Sequence, residues 1–309
     1  MRQRTFQYLC RMAAHKSGFV NIIGRPNAGK STLMNALLGE RMSIITAKPQ
    51  TTRHRILGIL TEPGYQIIFS DTPGVIKYPS YKMQEAMNRF VNSTFEDADI
   101  MMLVAGVDET YTADDPIIIQ LAKAEVPVFL VLNKIDTSNQ KDVLAKLQAW
   151  QVLLPFKEFF PLSALHEQGT AGLLKMIIQY LPEGPIYYPE DQLTDRSERF
   201  FVSEIVREKI LELYHQEIPY SVEVIVDSFK ETTTKSGEDL TRISATIYAM
   251  RPTQKSILIG KKGVAIKALG TAAREGMESF LGRKVFLELH VKVRDNWRDD
   301  EEWLKRFGY

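Results

Sequence analysis

The first hydrophobic pattern in this chain covers residues 19–181. Short continuous apolar runs, such as 100–105 and 126–132, alternate there with amphipathic stretches near 82–95, 114–125 and 139–152. Continuous apolar runs are typical of central parallel strands that are covered on both faces, whereas the amphipathic stretches are typical of helices. The turn sequence Glu62-Pro63-Gly64 between two strand-like runs predicts a hairpin. We therefore predict a mostly parallel α/β sheet with one antiparallel edge.

The second pattern covers residues 197–294 and predicts a smaller α+β domain. Its strand-like runs alternate strictly, so that Val222, Val224 and Val226 fall on one face and Glu223 falls on the other. The predicted order is α-β-β-α-α-β, with helices covering one face of the sheet. A proline-rich polar stretch separates the two patterns. We predict a first domain at 17–181, a linker at 182–196 and a second domain at 197–309.

Composition agrees with about two soluble domains, because globular domains usually contain ~100–200 residues. The chain has 309 residues, of which 44% are hydrophobic and 25% are charged. No apolar run approaches the ~20 residues that a membrane helix needs. The single cysteine, Cys10, excludes an intrachain disulfide and favours a reducing compartment. Residues 1–16 are basic without an acid, and we expect a poorly ordered leader or a start placed too early, with a surface-binding basic arm as the alternative.

The sequence 24–31 fits the phosphate-loop pattern G-x-x-x-x-G-K-[ST]. Such a loop curls its backbone N–H groups around a polyphosphate, and the following helix points its positive end at the anion. Lys30 is expected to reach the β- and γ-phosphates, and Ser31 to bind Mg²⁺. Because the motif follows a strand and opens a helix, its context supports the match. The predicted nucleotide-binding residues here are Gly24, Arg25, Pro26, Asn27, Ala28, Gly29, Lys30, Ser31 and Thr32.

Asp71-Thr72-Pro73-Gly74 follows the next predicted strand. A carboxylate at a strand end can hold Mg²⁺ through water, and the Gly74 N–H can bond the γ-phosphate. A further Mg²⁺ ligand is expected in the polar stretch 43–54, where Thr51 and Thr52 both qualify and Thr52 is favoured. The predicted metal ligands are therefore Ser31, Thr52 and Asp71.

Asn133-Lys134-Ile135-Asp136 follows another apolar strand and predicts a guanine site. The Asp136 carboxylate can accept hydrogen bonds from guanine N1–H and the 2-amino group, whereas adenine would leave it unpaired. Asn133 and Lys134 brace the loop and cover the base. Ser163-Ala164-Leu165 ends a further strand-like run and can offer a backbone N–H to the guanine oxygen.

These motifs fall at the ends of successive strands, where an open α/β sheet binds its ligand. In order and spacing they resemble the Ras-like GTPase superfamily over residues 19–181. The resemblance implies GTP binding, Mg²⁺ dependence and loops around 43–53 and 74–82 that order with GTP. Val75 stands where Ras-type proteins carry a water-orienting glutamine, so unaided hydrolysis should be slow. In similar GTPases an asparagine at the position of Asn27 helps bind K⁺, although Asn27 could equally fill a permissive loop position. The predicted catalytic residues are Lys30, Thr52, Gly74 and Asn27.

Gly260-Lys261-Lys262-Gly263 joins two predicted helices of the second domain. Within the order α-β-β-α-α-β, this G-x-x-G loop resembles the type II KH fold, which clamps single-stranded RNA. Ten basic residues against three acidic ones give residues 251–294 a charge of +7 in a chain of net charge +1. A solvated basic face is the alternative. The predicted RNA-binding residues are Ile259, Gly260, Lys261, Lys262, Gly263 and Lys267.

A Ras-like P-loop GTPase domain followed by a type II KH domain resembles the Era family of bacterial ribosome-assembly GTPases, as do segments 194–200, 251–255 and 303–309. The resemblance implies binding near the 3′ end of small-subunit ribosomal RNA, assembly of the small ribosomal subunit, and a cytoplasmic monomer with peripheral association with the inner membrane. Two alternatives remain. An ATP-dependent enzyme conflicts with Asp136, and a tRNA-modifying GTPase would need a reactive C-terminal cysteine.

Overall fold

A computed structural model of the chain describes residues 15–46, 48–234 and 236–309. Residues 1–14 of the predicted leader lie outside the described residues. The chain divides into two compact units that do not follow the sequence boundaries. The first unit contains the described residues up to Ser43, together with Arg55–Lys77 and Asn88–Asp195. The second unit contains Ile44–His54, Tyr78–Met87 and Arg196–Tyr309.

The first unit is built on a six-stranded sheet with the strand order β2-β3-β1-β4-β5-β6. Only β2 is antiparallel to its neighbour, so the predicted hairpin edge and parallel sheet are confirmed. The strands are β1 (Lys16–Ile23), β2 (Ile56–Glu62), β3 (Tyr65–Asp71), β4 (Ile100–Gly106), β5 (Val128–Asn133) and β6 (Glu158–Pro161). The helices are α1 (Lys30–Leu38), α2 (Lys82–Ser93), α3 (Pro116–Leu121), α4 (Gln140–Leu153) and α5 (Thr170–Tyr180), and α2 belongs to this unit from Asn88 onward.

The continuous apolar runs lie at the centre of this sheet. Every residue of β4 and of β5 is buried, as expected for strands covered on both faces. The predicted linker 182–196 packs on the hairpin edge near its C-terminal end, where Ile59 N–H donates to the Leu193 carbonyl (2.8 Å) and Gly58 pairs with Thr194. This segment therefore covers the backbone of an edge strand that would otherwise be exposed.

The second unit contains the predicted order α-β-β-α-α-β. The order of its sheet is β7-β8-β9, with β7 antiparallel and β9 parallel to β8. The elements are α6 (Glu198–Leu213), β7 (Val222–Thr233), β8 (Asp239–Ala249), α7 (Pro252–Ile259), α8 (Val264–Leu281), β9 (Lys284–Val293) and α9 (Glu301–Phe307). Buried residues of α6 and α8, such as Val206 and Met277, pack on the face that carries Val222 and Ile247.

The alternation predicts that helices cover only one face of this sheet. In the structure, part of the opposite face is covered as well. The Tyr248 ring of β8 lies 5.2 Å from Trp303 and 5.6 Å from Phe307 of α9, measured between ring centroids. The short C-terminal helix therefore covers one end of the second face. Throughout the described ranges, no helix combines the length and the hydropathy that crossing a membrane requires.

Candidate functional site

The phosphate loop joins β1 to α1, as predicted. Gly29 has φ +94°, and a Cβ atom there would lie 2.2 Å from the Asn133 side-chain nitrogen. Any larger residue would therefore push the phosphate loop away from the guanine-loop motif. Lys30 opens α1 and is buried, and its Nζ donates to the carbonyls of Gly24 (3.3 Å) and Arg25 (2.9 Å).

The electrostatics of Lys30 favour an anionic ligand. Burial lowers the pKa of the Lys30 ammonium, and the negative charges of Asp71 and Glu109 oppose that shift only in part. A phosphate brought against the ammonium would add opposite charge to that of Asp71 and Glu109 and further stabilise the charged form. The loop is thus arranged to gain free energy from binding an anion beside Lys30.

Ser31 and Asp71 form the part of the site that suits a divalent cation. The Ser31 hydroxyl donates to Asp71 Oδ2 at 2.6 Å, and Asp71 is fully buried at the end of β3. Among the described residues, no group of three His, Cys, Asp or Glu side chains could hold a metal by itself. A hydroxyl and a carboxylate fit Mg²⁺, which typically takes one or two protein oxygens and completes its shell with phosphates and water.

The loop after β3 is fixed beside the phosphate loop. The Thr72 hydroxyl donates to the Ile22 carbonyl at 2.7 Å, and the Val75 N–H donates to the Gly24 carbonyl at 3.1 Å. The Val75 side chain packs against the apolar cluster around β4 and β5. Position 75 therefore contributes packing, and no polar side chain there can orient a water molecule.

Asn133 connects three of the predicted motifs. It is 3% exposed, and its side-chain nitrogen donates to the Ala28 carbonyl (3.0 Å) while its Oδ1 accepts from the Ala164 N–H (2.9 Å). One amide therefore sets the spacing between the phosphate loop and both guanine-site motifs. This convergence was expected from strands ending at one edge of the sheet.

Asp136 is placed to act as a hydrogen-bond acceptor. It follows Lys134, whose φ of +65° turns the chain after β5. A hydrogen bond from the Ser163 hydroxyl holds the pKa of the Asp136 carboxyl below its ordinary value, despite the opposing effect of desolvation. The carboxylate is therefore ionised at neutral pH. Leu165 is 71% exposed beside this motif.

Thr51 and Thr52 belong to the second compact unit. The Thr51 hydroxyl donates to the Lys48 carbonyl at 2.6 Å, and Thr52 is 8% exposed. Arg53 and His54 are buried as well, so this end of the polar stretch is not solvated. The role of Thr52 as a metal ligand stays a prediction.

The G-x-x-G loop lies between α7 and α8, as predicted. Gly260 has φ +72°, and a Cβ atom there would lie 2.6 Å from the Ala265 Cβ. Lys262 adopts the left-handed conformation with φ +52°. Lys261, Lys262 and Lys267 are all exposed. The loop therefore presents cations on a tight backbone turn that precedes the N-terminus of α8.

A groove of about 330 Å³ runs beside this loop between α8 and β9. Its lining combines apolar side chains with basic and hydroxyl side chains. It is lined by Ile266, Lys267, Gly270, Thr271, Arg274, Leu287 and Leu289. Apolar and cationic side chains in one groove suit unstacked bases with their backbone phosphates.

The positive charge predicted for residues 251–294 is partly neutralised in the structure by acidic residues from outside this range. Arg283 pairs with Glu198 (2.6 Å) and Glu231 (3.0 Å), and Lys284 pairs with Glu238 (2.7 Å). These acids lie outside the counted window, so the sum of +7 omitted them. In the adjoining groove, Arg274 pairs with Glu278 at 3.0 Å. The exposed positive charge near the loop is therefore mainly that of Lys261, Lys262 and Lys267.

Sequence reasoning missed two polar clusters. One joins the phosphate-loop residue Arg25 to Tyr111 and Asp115, and the other surrounds Arg53 in the second unit. Neither follows from a motif, because the partners in each cluster are far apart in sequence. The only local signal was Asp115-Pro116, a typical helix start.

The fold and the site define a Ras-like GTPase joined to a type II KH domain. Residues 19–134 match the family described as "50S ribosome-binding GTPase", and residues 217–298 match the family described as "KH domain". The chain is 49% identical over 295 residues to GTPase Era of Syntrophus aciditrophicus, covering 95% of each chain, and 45% identical to GTPase Era of Clostridium kluyveri, covering 95% of this chain and 99% of that one. The chain belongs to the Era family of GTPases.

Two solved structures are similar to this chain over most of its length. One is Era in complex with MgGDPNP and nucleotides 1506–1542 of 16S ribosomal RNA, with a TM-score of 0.90, 38% identity and coverage of 96% of this chain and 99% of that one. The other is a tyrosine-to-alanine variant of Aquifex aeolicus Era bound to GDP and AlF4⁻, with a TM-score of 0.90, 39% identity and coverage of 95% and 99%.

Proposed function

We propose that the chain binds GTP with Mg²⁺ at the site built by its first unit and hydrolyses it to GDP and phosphate. The arrangement of Asn133 carries this proposal, since one amide ties the phosphate loop to the guanine motifs. Asp136 selects guanine through its ionised carboxylate, and Lys30 binds the β- and γ-phosphates. The remaining nucleotide contacts come from residues 24–32, 71–74 and 163–165.

Ser31 and Asp71 hold Mg²⁺, and Thr52 completes its shell while the γ-phosphate is present. When bound, the cation neutralises charge that develops between the β- and γ-phosphates. The Gly74 N–H bonds the γ-phosphate. Because position 75 is apolar, the attacking water needs another means of activation, and Asn27 helps to hold a K⁺ ion that stabilises the developing charge. Asn27 is exposed in the phosphate loop.

The second unit binds RNA through the G-x-x-G loop and the groove between α8 and β9. Ile259, Gly260, Lys261, Lys262, Gly263 and Lys267 contact the RNA. A relative of 38% identity was solved with the 3′ segment of 16S ribosomal RNA, and this supports the same target here. The chain accordingly acts in assembly of the small ribosomal subunit. We further propose that it is a cytoplasmic monomer with peripheral membrane association.

The test measures binding of an RNA with the 3′ sequence of 16S ribosomal RNA to the full chain with a non-hydrolysable GTP analogue and Mg²⁺. A shuffled RNA of equal length and composition serves as the control. We expect the 3′ sequence to bind at least about tenfold more tightly, equivalent to ~1.4 kcal/mol. Equal affinity for the two RNAs would overturn the proposed target while leaving the nucleotide assignment intact.

A further inference from the structure

We propose that Asp115 is a positioning residue of the GTPase reaction, because its carboxylate holds both the phosphate loop and the segment that follows the γ-phosphate-sensing loop. The proposal rests on the nucleotide site proposed above. Asp115 precedes α3 and belongs to none of the nucleotide motifs. The two oxygens of its carboxylate face two different loops, Oδ2 toward Arg25 and Oδ1 toward Lys77.

The contact with the phosphate loop is built from several directions. The Arg25 guanidinium pairs with Asp115 Oδ2 at 3.0 Å and donates to the Thr110 carbonyl at 2.9 Å. It also lies over the Tyr111 ring, 4.0 Å from the centroid. The Tyr111 hydroxyl accepts from the Arg25 backbone N–H at 3.3 Å. The segment 110–115 therefore restrains both the side chain and the backbone of Arg25.

The restraint reaches Lys30 through the Arg25 backbone. The Arg25 carbonyl accepts from the Lys30 ammonium at 2.9 Å, so the position of residue 25 affects where that ammonium lies. Because the phosphate loop binds its ligand with backbone N–H groups, a small displacement of Arg25 changes several hydrogen bonds at once. Asp115 thus acts on the nucleotide through Arg25 and without touching it.

The carboxylate itself is held firmly. Its side chain is 6% exposed, and Oδ2 also accepts from the Thr112 N–H at 2.9 Å. Burial alone would raise the pKa of Asp115, but the Thr112 N–H and the Arg25 guanidinium outweigh it and hold the pKa below its ordinary value. Asp115 therefore stays charged at neutral pH and keeps a fixed position.

The second contact involves the chain after Gly74. Lys77 Nζ lies 3.7 Å from Asp115 Oδ1 and 3.9 Å from Asp114 Oδ2, and the Lys77 side chain is 41% exposed. Lys77 is three residues beyond Gly74, whose N–H is proposed to sense the γ-phosphate. A shift of residues 74–77 with nucleotide state would therefore change the attraction between Lys77 and a carboxylate that also holds Arg25.

These two contacts have different expected consequences. The contact with Arg25 supports the phosphate loop, which meets the phosphates of both GDP and GTP. The contact with Lys77 depends on the segment that follows the γ-phosphate sensor, and so it affects the preference between the two nucleotides. A residue that only stabilised the fold would lower both affinities by the same factor and leave their ratio unchanged.

The experiment measures dissociation constants of GDP and a non-hydrolysable GTP analogue, with Mg²⁺, for the full chain. Asp115→Asn keeps the shape and removes the charge. We expect it to weaken both nucleotides by about tenfold, as for a lost hydrogen bond to a charged group. We also expect it to change the ratio of the two affinities by about threefold, the scale of a partly exposed ion pair.

Lys77→Gln should change the ratio by a similar factor while leaving the GDP affinity within about twofold. In the Asp115→Asn background, Lys77→Gln should change the ratio less than it does in the unsubstituted chain, because the contact between Lys77 and Asp115 is already lost. Asp114→Asn is the matched control, since Asp114 is 79% exposed and contacts Lys77 but not Arg25. It should leave the GDP affinity unchanged.

Thermal unfolding of each nucleotide-free variant accompanies the binding data. If Asp115→Asn lowers the unfolding midpoint, a second variant is needed. Arg25→Gln removes the other partner of the same ion pair, and it must show the same loss of affinity for both nucleotides. Unchanged affinities in Asp115→Asn, or an equal effect of Lys77→Gln in both backgrounds, would overturn the proposal. Failure of the unsubstituted chain to prefer GTP over ATP would instead overturn the proposed function.

Discussion

Arg53 and Glu223 form an ion pair of 2.9 Å whose side chains are 0% and 6% exposed. The Arg53 guanidinium also donates to the carbonyls of Val222 (2.8 Å) and Pro219 (3.0 Å). Glu223 accepts a further hydrogen bond from the hydroxyl of Tyr309, the C-terminal residue (2.7 Å). Arg53 is thus fixed by the second unit even though it follows the phosphate-loop helix by only a short stretch of chain.

Replacing Arg53 with Met should destabilise the second unit by about 3–5 kcal/mol, because Glu223 would be left buried without its closest cation. The double variant Arg53→Met/Glu223→Gln should lose less than the sum of the single changes. Urea denaturation of the full chain, followed by the fluorescence of Trp297 and Trp303, measures the effect. Trp150 of the first unit contributes to the same signal, and replacing it with Phe isolates the second unit.

Lys284→Gln is the control for this prediction. Lys284 pairs with Glu238 at 2.7 Å, but both side chains are more than half exposed. An exposed pair contributes at most about 1 kcal/mol. Equal losses from the Arg53 and Lys284 changes would contradict the view that burial makes the Arg53 pair important.

The Arg53 cluster shows why part of the fold could not be predicted from sequence. Its partner Glu223 is 170 positions away and lies on the outward phase of β7, where alternation predicted solvent. At Glu223 that face is covered by Arg53 and Tyr309, and at the neighbouring Tyr248 it is covered by α9. This helix has seven residues and is too short for a clear periodic signal. The nucleotide motifs, by contrast, were predictable because each is local and strand ends meet at one edge.

The second prediction concerns acid. Burial lowers the pKa of His54, with Arg207 and Arg196 acting in the same direction and Glu204 and Glu223 opposing it. As the pH falls below the ordinary histidine value of about 6.5, the unfolded chain binds a proton that the folded unit does not. The free energy of unfolding of the second unit should therefore fall by up to ~1.4 kcal/mol for each pH unit below the ordinary histidine pKa.

The free energy of unfolding measured between pH 7.5 and 5, a range around the ordinary histidine pKa of about 6.5, tests this expectation. His54→Gln should flatten the slope. Glu223 extends the loss to lower pH: burial opposes its ionisation, but Arg53 and Arg207 hold its pKa below the ordinary value, so its contribution disappears as it becomes protonated. A slope unchanged by His54→Gln would assign the acid sensitivity to other groups.

The third prediction concerns base selection by Asp136. Asp136→Asn should weaken GTP binding by about 10²–10⁴-fold, because two hydrogen bonds to a charged acceptor are worth ~1.5–3 kcal/mol each. The same variant should gain affinity for xanthosine triphosphate, since the new amide can donate a hydrogen bond to the 2-oxo group of the base. Competition between the two nucleotides measures the change in their relative affinities. Asp142→Asn, a substitution at an exposed position of α4, serves as the control. Unchanged GTP affinity in Asp136→Asn would remove Asp136 from the guanine site.

The fourth prediction separates two roles of Asn27. Its φ of +64° is a conformation that asparagine tolerates better than most residues, so the backbone alone could explain its presence. Asn27→Gly keeps this conformation and removes the side chain, whereas Asn27→Ala also adds strain. If the side chain helps to hold K⁺, hydrolysis by the unsubstituted chain should be faster in K⁺ than in Na⁺ at equal ionic strength, and both variants should lose the difference. A glycine variant that keeps the difference would make Asn27 a backbone residue only.

The fifth prediction concerns the G-x-x-G loop. Replacing both Lys261 and Lys262 with Asp places acid where RNA phosphates pass and should weaken RNA binding severely. Asp is suitable at position 262 because it tolerates the left-handed backbone observed there. Loss of two phosphate contacts to a single strand should also reduce the slope of log affinity against log salt by ~1.4. RNA affinity across a salt series measures both effects.

Two controls separate the loop from general charge and from the nucleotide site. Lys292→Asp combined with Lys305→Asp changes the net charge by the same amount at exposed positions away from the loop. This pair should lower affinity mainly at low salt, because charges farther than a Debye length of ~10 Å at 0.1 M salt are largely screened. Lys30→Ala should abolish GTP binding while RNA binding remains, since each loop is supported by its own core. RNA binding by the Lys261/Lys262 double variant that equals that of the unsubstituted chain would show that the G-x-x-G loop is not the RNA contact.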